Sequence, residues 1–200
     1  MFLDAFSRAS HVTPPIRLNR SKTALVTVDV QNVFCHVARW SMGWVFPDQA
    51  DINRSVKNLA TILADRRRLN LPVFHVRSYL KPQSEYDFYR IRPEAQDTLI
   101  DKSEQSAFED DEFGRRTHNG LLERALRQKD IDTLVIAGFW QELCVARTVE
   151  SALHRKFNVV VLEDCTRPYD YAHQSSSKAA MQKNGAHMMA AANFLCAFDE

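Results

Sequence analysis

The sequence predicts an α/β protein, a three-layer α/β/α sandwich around a mostly parallel, doubly wound sheet of about five or six strands. Short apolar runs rich in β-branched residues alternate with stretches whose apolar residues recur at helical spacing. The clearest example, residues 131–162, is typical of two parallel strands joined by a helix. A length of 200 residues with 45% hydrophobic side chains suits one well-packed domain rather than two.

The predicted domain covers residues 22–200 and follows an N-terminal arm, residues 1–21. The arm combines apolar residues near its start with a Pro-Pro pair, and it lies outside the repeating pattern of strands and helices. We therefore expect it to pack on a neighbouring subunit or on the flank of its own domain.

Three strands and one long helix are predicted before the central unit. They are a strand over 23–30, a helix that begins at Asp48 or Asp51, and strands over 71–76 and 98–100. The loop over 35–46 is rich in aromatic residues, which suits a pocket wall or a subunit interface. His75 is interpreted as a satisfied core or pocket histidine, because no partner lies at metal-ligand spacing.

The second half of the chain begins with a helix capped by Asn119 and leads into the central unit. In that unit a strand over 131–137 is followed by a helix after Cys144 and by a strand over 158–162. The remaining predicted elements are a helix over 174–184 with Gly185 as its C-cap, a strand over 186–189 and a helical closing segment over 190–198.

Charge and composition argue against several classes of partner. The 26 basic and 25 acidic residues give a net charge of +1, which does not suggest nucleic acid or an anionic membrane. No apolar run approaches the ~20 residues of a membrane span, and the start lacks the apolar region of a signal peptide. The glycine motifs that bind dinucleotides and nucleoside triphosphates are missing, so we expect no cofactor.

The four cysteines point to a reducing compartment. They are widely spaced, with no C-x-x-C and no Cys/His pair at zinc spacing: Cys35, Cys144, Cys165 and Cys196. Together with the missing secretory signal, this predicts reduced thiols in a cytoplasmic protein.

Asp29, Lys102 and Cys144 each follow a predicted strand. In a parallel sheet such strand ends gather on one edge, where open α/β sheets place their chemistry. Cys144 lies at a predicted helix N-terminus, which favours a thiolate and lowers the pKa of a cysteine. Each residue also has a simpler interpretation: Asp29 as a cap or turn residue, and Cys144 as a small buried apolar side chain.

Taken together, the three side chains suit nucleophilic catalysis. A cysteine nucleophile needs a base to take its proton, and a carboxylate can serve as that base. A lysine nearby steadies the thiolate and holds the carboxylate in place. This is the logic of a catalytic triad built from other residue types.

The sequence resembles the isochorismatase-like cysteine hydrolases, which include nicotinamidases, N-carbamoylsarcosine amidohydrolases and ureido- or biuret-cleaving enzymes. The resemblance covers roughly residues 22 to 190. It rests on three motifs in the family's order and spacing: ALVTVDVQNVF, DKSEQSAF and VIAGFWQELCVARTVESAL.

The resemblance implies a role for each motif residue. Asp29 would be the general base, Lys102 its charge partner and Cys144 the nucleophile that attacks an amide or ureido carbonyl. The backbone N–H groups of Trp140 and Cys144 would hold the oxyanion, with a cis peptide bond between Phe139 and Trp140. We further predict a substrate pocket lined by Gln31, Phe34, Trp40, Phe108 and Phe139.

Three departures from the family pattern narrow the function. Trp140, Gln141 and Glu142 stand where the family has a small residue followed by Thr-Asp, so an aromatic wall or a narrower pocket is implied. The stretch HVRSYL lacks the Asp-x-His group that holds the metal of nicotinamidases, so no metal is expected. Isochorismatases proper lack the cysteine, which disfavours vinyl-ether hydrolysis.

The function expected from the sequence is cleavage of a C–N bond in a small amide, ureide or carbamoyl compound through an acyl-enzyme on Cys144. The alternatives are a non-catalytic binding or regulatory member of the same fold and, with less support, a nicotinamidase. Arg77, Arg90 and Arg92 are either ligands for a substrate carboxylate or surface residues. The aromatic loop and the resemblance together predict a homo-oligomer, either a dimer or a tetramer.

Overall fold

The computed structural model describes residues 16–36, 48–79, 87–108 and 120–198, which contain one six-stranded sheet. Its strands are β1 (Thr23–Val28), β2 (Val73–Ser78), β3 (Thr98–Lys102), β4 (Thr133–Phe139), β5 (Asn158–Arg167) and β6 (His187–Met189). All neighbouring strands are parallel, in the order β3-β2-β1-β4-β5-β6. The prediction of a doubly wound, mostly parallel sheet is thus confirmed.

Helices cover both faces of the sheet. They are α1 (Asn32–Cys35), α2 (Gln49–Leu69), α3 (Leu121–Gln128), α4 (Ala146–His154) and α5 (Gln174–Lys183), with a π-helical turn at Gln141–Val145 before α4. One apolar layer joins the sheet to α2, and the other joins it to α3, α4 and α5. Because both faces are covered, the central strands are apolar throughout rather than alternating with polar residues.

Several strand ends differ from the prediction. Strand β1 stops at Val28 because Asp29 has a φ of 53°, a left-handed conformation that ends an extended strand. Strand β2 runs two residues later than predicted, and β3 continues to Lys102, which pairs with Ser78. Strand β5 continues to Arg167, because its register with β4 shifts after Ile136 and pairing then resumes.

The two ends of the described chain pack together. The N–H of Leu18 donates to the carbonyl of Ala197 at 2.7 Å, and Leu18 also bridges to Phe198. The last part of the predicted arm therefore packs on its own domain, while residues 1–15 lie outside the described residues. The closing segment, predicted as helical, forms two short 3-10 turns at Ala191–Asn193 and Leu195–Ala197.

The residues at the N-terminal ends of α2 and α3 differ in how they compare with the prediction. Asp48 rather than Asp51 caps α2, since its Oδ1 accepts a hydrogen bond from the N–H of Ala50 at 2.9 Å. Asn119, the predicted cap of α3, lies outside the described residues, and Gly120 precedes that helix. None of the described helices has the length and apolar composition needed to cross a membrane.

Gly138 allows β4 to approach β1 closely at the carboxyl end of the sheet. A Cβ at this position would lie 2.0 Å from the carbonyl oxygen of Val28 and 2.7 Å from its nitrogen. The φ of 128° at Gly138 also lies in the region that favours glycine. The chain that follows Gly138 therefore starts directly beside the residue after Val28, which is Asp29.

Candidate active site

Asp29 lies at the carboxyl end of β1 and is fully buried. Its N–H donates to the carbonyl of Val76 at 2.9 Å, which fixes the backbone against β2. One carboxylate oxygen, Oδ2, lies 2.8 Å from Nζ of Lys102. The other, Oδ1, accepts a hydrogen bond from the hydroxyl of Ser78 at 3.1 Å. The carboxylate is thus held from two sides by residues at the ends of β2 and β3.

Lys102 is the last residue of β3 and is also buried. Besides its ion pair with Asp29, its ammonium donates to the carbonyls of Glu104 at 2.9 Å and Gln105 at 3.1 Å. Burial of an ammonium is tolerated when it is paired and hydrogen-bonded in this way. The turn after β3 therefore fixes the cation next to the Asp29 carboxylate.

Cys144 lies in the π-helical turn, close enough to Asp29 and Lys102 for the charges of both to shift the pKa of its thiol. Three residues that the sequence places far apart thus meet at one point of the sheet edge.

The thiol of Cys144 is protonated in the resting site. Burial, and then the negative charge of Asp29, raise the pKa of Cys144 from 9.0 to about 12, while Lys102 acts in the opposite direction. The predicted lowering of the pKa at a helix N-terminus is wrong, because burial and the adjacent carboxylate outweigh the helix and the lysine. A thiol with a raised pKa therefore faces the side chain of Asp29.

The other cysteines have different surroundings. Cys35 and Cys165 are buried, and burial raises the pKa of each thiol above its ordinary value. Cys196 is exposed near the C-terminus. Cys165 lies near Asp164 and Arg167, whereas Cys144 lies near the buried Asp29–Lys102 ion pair at the carboxyl edge of the sheet.

Gln31 supports Asp29 indirectly, through Ser78. The Gln31 amide donates to the carbonyl of Ser78 at 3.1 Å and accepts from the N–H of Ser78 at 2.8 Å. This pair of bonds orients Ser78, whose hydroxyl donates to Asp29. Gln31 was predicted to line the substrate pocket; the structure shows it fully buried beside the catalytic candidates. No sequence pattern points to Ser78, because an isolated serine at a strand end belongs to no motif.

The loop that carries Cys144 is tied down by the residues that depart from the family pattern. The carboxylate of Glu142 accepts from the N–H groups of Tyr169 at 3.0 Å and Asp170 at 2.8 Å. The amide of Gln141 donates to the carbonyl of Gln174 at 2.8 Å and to the hydroxyl of Ser177 at 2.6 Å. Both side chains thus anchor the loop to the chain after β5 and to α5.

Trp140 begins this loop, and the predicted cis peptide bond between Phe139 and Trp140 is present. The indole packs edge to face with Phe139, at 5.4 Å between ring centroids, and with Tyr169, at 5.7 Å. The carbonyl of Trp140 accepts from the N–H groups of Leu143 and Val145, both at 3.1 Å. The tryptophan therefore forms an aromatic wall beside the cysteine loop.

The predicted pocket residues are not all brought together. Phe34 packs on the apolar layer that contains Phe139 and Trp140. Phe108 lies in the opposite layer, where its ring contacts Phe157 and the guanidinium of Arg155. Trp40 lies outside the described residues. The composition of the pocket remains a prediction.

The three arginines predicted to be either substrate-carboxylate ligands or surface residues have different surroundings in the structure. Arg77 forms an ion pair with Asp101, which raises the pKa of its guanidinium. Arg90 is exposed and stacks over the ring of Tyr89 at 5.1 Å, and Arg92 is exposed. Arg167, which the sequence did not single out, is half-buried at the end of β5.

His75 is a satisfied core residue, as predicted. Its ring hydrogen-bonds with the hydroxyl of Thr27 at 2.8 Å and with Asp97 at 3.2 Å. Burial lowers the pKa of His75, which keeps the ring neutral at physiological pH. Across the described ranges, no three His, Cys, Asp or Glu side chains are grouped as a metal site would require.

Asp29, Lys102 and Cys144 gather at the carboxyl edge of a parallel α/β sheet, the edge where open α/β sheets bind their ligands. The chain belongs to the isochorismatase family, since the profile of the isochorismatase domain matches residues 23–193. This agrees with the three motifs from which the resemblance was drawn.

Known proteins similar to this chain share this fold. An uncharacterized isochorismatase family protein of Bacillus subtilis, YddQ, is 26% identical over 71% of this chain and 76% of its own length. The ureidoacrylate amidohydrolase RutB of Variovorax paradoxus is 23% identical over 76% of this chain and 71% of its own length. A crystal structure of a cysteine hydrolase from Pseudomonas syringae pv. phaseolicola superposes with a TM-score of 0.73 at 20% identity, covering 93% of this chain and 97% of that one.

Proposed function

We propose that the protein hydrolyses a C–N bond of a small amide, ureide or carbamoyl compound, with Cys144 as nucleophile. The observation that carries this proposal is the contact of the Cys144 thiol with both members of the buried Asp29–Lys102 ion pair. A buried thiol with no chemical task needs neither a base nor a cation beside it. Similarity to a ureidoacrylate amidohydrolase supports the choice of C–N bond.

The first step transfers a proton from Cys144 to Asp29. A pKa of about 12 leaves the thiol protonated at rest, so the carboxylate has to accept the proton as the sulfur attacks. The S–C bond then forms at the substrate carbonyl carbon, and the carbonyl electron pair moves onto oxygen. Lys102 remains beside the sulfur and stabilises the negative charge that develops there.

The second step expels the amine. Backbone N–H groups of Trp140 and Cys144 are the proposed donors to the oxyanion, as the family resemblance implies. When the oxyanion collapses, the C–N bond breaks and Asp29 returns its proton to the leaving nitrogen. The products are a free amine or ammonia and a thioester or thiocarbamate on Cys144.

The third step releases the acyl group. Asp29, again a carboxylate, takes a proton from water as the water oxygen attacks the acyl carbon. The C–S bond breaks, and the proton passes from Asp29 to the sulfur, which restores the thiol. From a ureido or carbamoyl group the product is a carbamate, which decomposes to carbon dioxide and an amine or ammonia.

Ammonia release from a panel of small amides, ureides and carbamoyl amino acids tests the proposal. We expect the wild-type protein to release ammonia from at least one class, and Cys144→Ala to release none. Cys196→Ala is the matched control, because it removes an exposed thiol and should retain full activity. Mass spectrometry after an acid quench should find the acyl group on the peptide that contains Cys144.

The outcome also separates the alternative functions. A wild-type protein that releases no ammonia from the panel and forms no adduct would support a non-catalytic binding role. Loss of activity on chelation, restored by zinc, iron or manganese, would support a nicotinamidase-like metal site. We propose that activity survives exhaustive chelation.

We also propose that the protein acts as a homo-oligomer, a dimer or a tetramer, in the cytoplasm. Leu99 on the edge strand β3 and Leu143 next to Cys144 are exposed apolar side chains that a subunit contact would cover. Light scattering at working concentration tests this assembly, and a strictly monomeric species would contradict it.

A further inference from the structure

We propose that Thr148 on α4 positions Lys102 beside Cys144, by holding the turn that follows β3. Thr148 is a positioning residue, because its hydroxyl bonds to the main chain of Ala107 and acts on the lysine through residues 103–107. This role rests on the proposed function and adds to it a residue outside the three catalytic candidates.

The ammonium of Lys102 is held by the turn that comes directly after its own strand. Nζ donates to the carbonyls of Glu104 at 2.9 Å and Gln105 at 3.1 Å. The side chain of Gln105 is exposed, whereas Ser106 and Ala107 are buried. The place of the two carbonyls, and with it that of the ammonium, therefore depends on what holds the chain at Ser106 and Ala107.

The helix that follows Cys144 holds this turn through two hydrogen bonds. The hydroxyl of Thr148 accepts from the N–H of Ala107 at 3.1 Å. The hydroxyls of Ser151 and Ser106 bond to each other at 2.9 Å. All four residues are buried. Because Thr148 bonds to a main-chain N–H, it fixes the backbone itself, two residues from the nearer carbonyl that holds Lys102.

These bonds belong to a polar face of α4, defined by Thr148, Ser151 and Arg155. The three residues recur at intervals of three and four, which places them on one side of the helix. Arg155 donates to the carbonyl of Phe108 at 3.3 Å, so all three contact the same stretch of chain after β3. Buried polar groups are unfavourable unless they are paired, so these pairs fix one position of the turn against the helix.

The polar face connects the nucleophile to the cation. Cys144 lies in the π-helical turn that leads directly into α4, and Thr148 lies four residues later, about one helical turn. One element thus carries both the thiol and the anchor of the turn that holds Lys102. The ammonium lowers the pKa of Cys144, and this effect depends on its distance from the sulfur. Release of the turn should therefore change the reactivity of the thiol.

The rate at which iodoacetamide alkylates Cys144, followed by mass spectrometry from neutral to mildly alkaline pH, tests the role of Thr148. Thr148→Val keeps the size of the side chain and removes the hydroxyl that accepts from Ala107. We expect the rate to fall roughly 3- to 10-fold, because one hydrogen bond is lost and Lys102 is held less firmly. For any compound that is hydrolysed, kcat should fall by a similar factor with little change in KM.

Two variants serve as controls. Thr148→Ser keeps the hydroxyl, so its alkylation rate should stay within about twofold of the wild type. Thr133→Val removes a buried hydroxyl at the start of β4, at the opposite edge of the sheet, and should also stay within about twofold. If Thr148→Val does not fold, Ser151→Ala removes the second bond to the turn, and a fall of roughly 2- to 5-fold is expected.

A second background shows whether the effect passes through the lysine. In Lys102→Met the ammonium is absent, so adding Thr148→Val or Ser151→Ala should change the alkylation rate less than about twofold. An equal fall in both backgrounds would mean that α4 acts on Cys144 through the fold alone, and the positioning role would be overturned. An unchanged rate in the wild-type background would overturn it as well.

Failure of this role is distinguishable from failure of the proposed function, because alkylation of Cys144 needs no substrate. If the protein releases ammonia from the panel but Thr148→Val behaves like Thr133→Val, the hydrolase proposal stands and the role of Thr148 is refuted. If no compound is hydrolysed but the fall is seen only with Lys102 present, the positioning role stands and the hydrolase proposal is refuted.

Discussion

Two clusters of buried charge lie on the β1–β2–β3 side of the sheet, and they differ in what their carboxylate contacts. In the first, Asp97 accepts from the guanidinium of Arg66, from His75 and from the N–H of Glu94. In the second, Asp29 contacts Lys102, Ser78 and the thiol of Cys144.

The difference lies in the protons that each carboxylate can receive. The partners of Asp97 are a guanidinium that does not deprotonate, a backbone amide and an imidazole whose lowered pKa keeps it neutral. The partners of Asp29 include a thiol, whose proton is released during attack on a carbonyl in the mechanism we propose. A buried ion pair alone is therefore weak evidence for chemistry, while an ion pair in contact with a nucleophile is stronger evidence.

The largest expected effects come from replacing the two aspartates, one of which should affect activity and the other stability. Asp29→Asn should lower kcat/KM roughly 10²- to 10⁴-fold, because the general base is lost, with little change in the unfolding midpoint. Asp97→Asn should destabilise the fold by about 3 kcal/mol, because Arg66 loses both hydrogen bonds to Asp97 and keeps only its ion pair with Glu94 at 3.2 Å. Denaturant titration and ammonia release are measured for both variants. An active Asp29→Asn variant would contradict the proposed role of that residue.

Lys102→Met should have the next largest effect. Lys102 lowers the pKa of Cys144, so its removal should raise that pKa further and reduce turnover. The pH dependence of alkylation of Cys144, followed by mass spectrometry, measures the change. Lys178→Met removes a partly exposed ion pair with Glu163 and is the control. Full activity and an unchanged thiol titration in Lys102→Met would remove the lysine from the mechanism.

Ser78→Ala should reduce kcat/KM roughly 10-fold, because a hydrogen bond to the catalytic carboxylate is lost. Ser78→Thr keeps the hydroxyl and should retain most of the activity. Ser55→Ala, at a buried serine on α2, is the control. If Ser78→Ala and Ser55→Ala behave alike, the bond from Ser78 to Asp29 has no special role.

The smallest expected effect is the pH dependence of stability due to His75. Its pKa in the folded protein is lower than 6.5, the value in the unfolded chain, so below pH 6.5 the unfolded state binds the proton first. Stability from this group is therefore complete above pH 6.5 and falls as the pH drops toward the folded-state pKa. His75→Gln should flatten the unfolding midpoint between pH 5 and 7, whereas replacing the exposed His187 should not.

The sequence predicted the parts of this structure that depend on periodicity and motif. The alternation of apolar runs with helical patterns correctly predicted a mostly parallel sheet. The positions of Asp29, Lys102 and Cys144 after predicted strands correctly predicted that the three side chains lie close together. Both follow from local rules: strands buried on both faces are apolar, and parallel strands end on the same edge.

Other features depend on contacts between distant segments. The extension of β5 to Arg167 requires the register shift against β4, which no local pattern in β5 records. The raised pKa of Cys144 depends on how deeply the loop is buried, and the helix-terminus rule contains no such information. Ser78 contacts the Asp29 carboxylate through a single hydrogen bond between distant segments, and a lone serine belongs to no sequence pattern.

The close packing at Gly138 fixes the start of the loop that carries Cys144. The backbone of Gly138 packs directly against Val28. The main chain therefore sets the spacing between Asp29 and Cys144 before the loop that begins at Trp140. The side chain of Trp140 can then change without altering that spacing, while Gln141 and Glu142 anchor the loop to α5 and to the chain after β5. We expect substitutions at Trp140 to alter which substrates are accepted, whereas Gly138→Ala, the smallest change available, should disrupt turnover of every substrate.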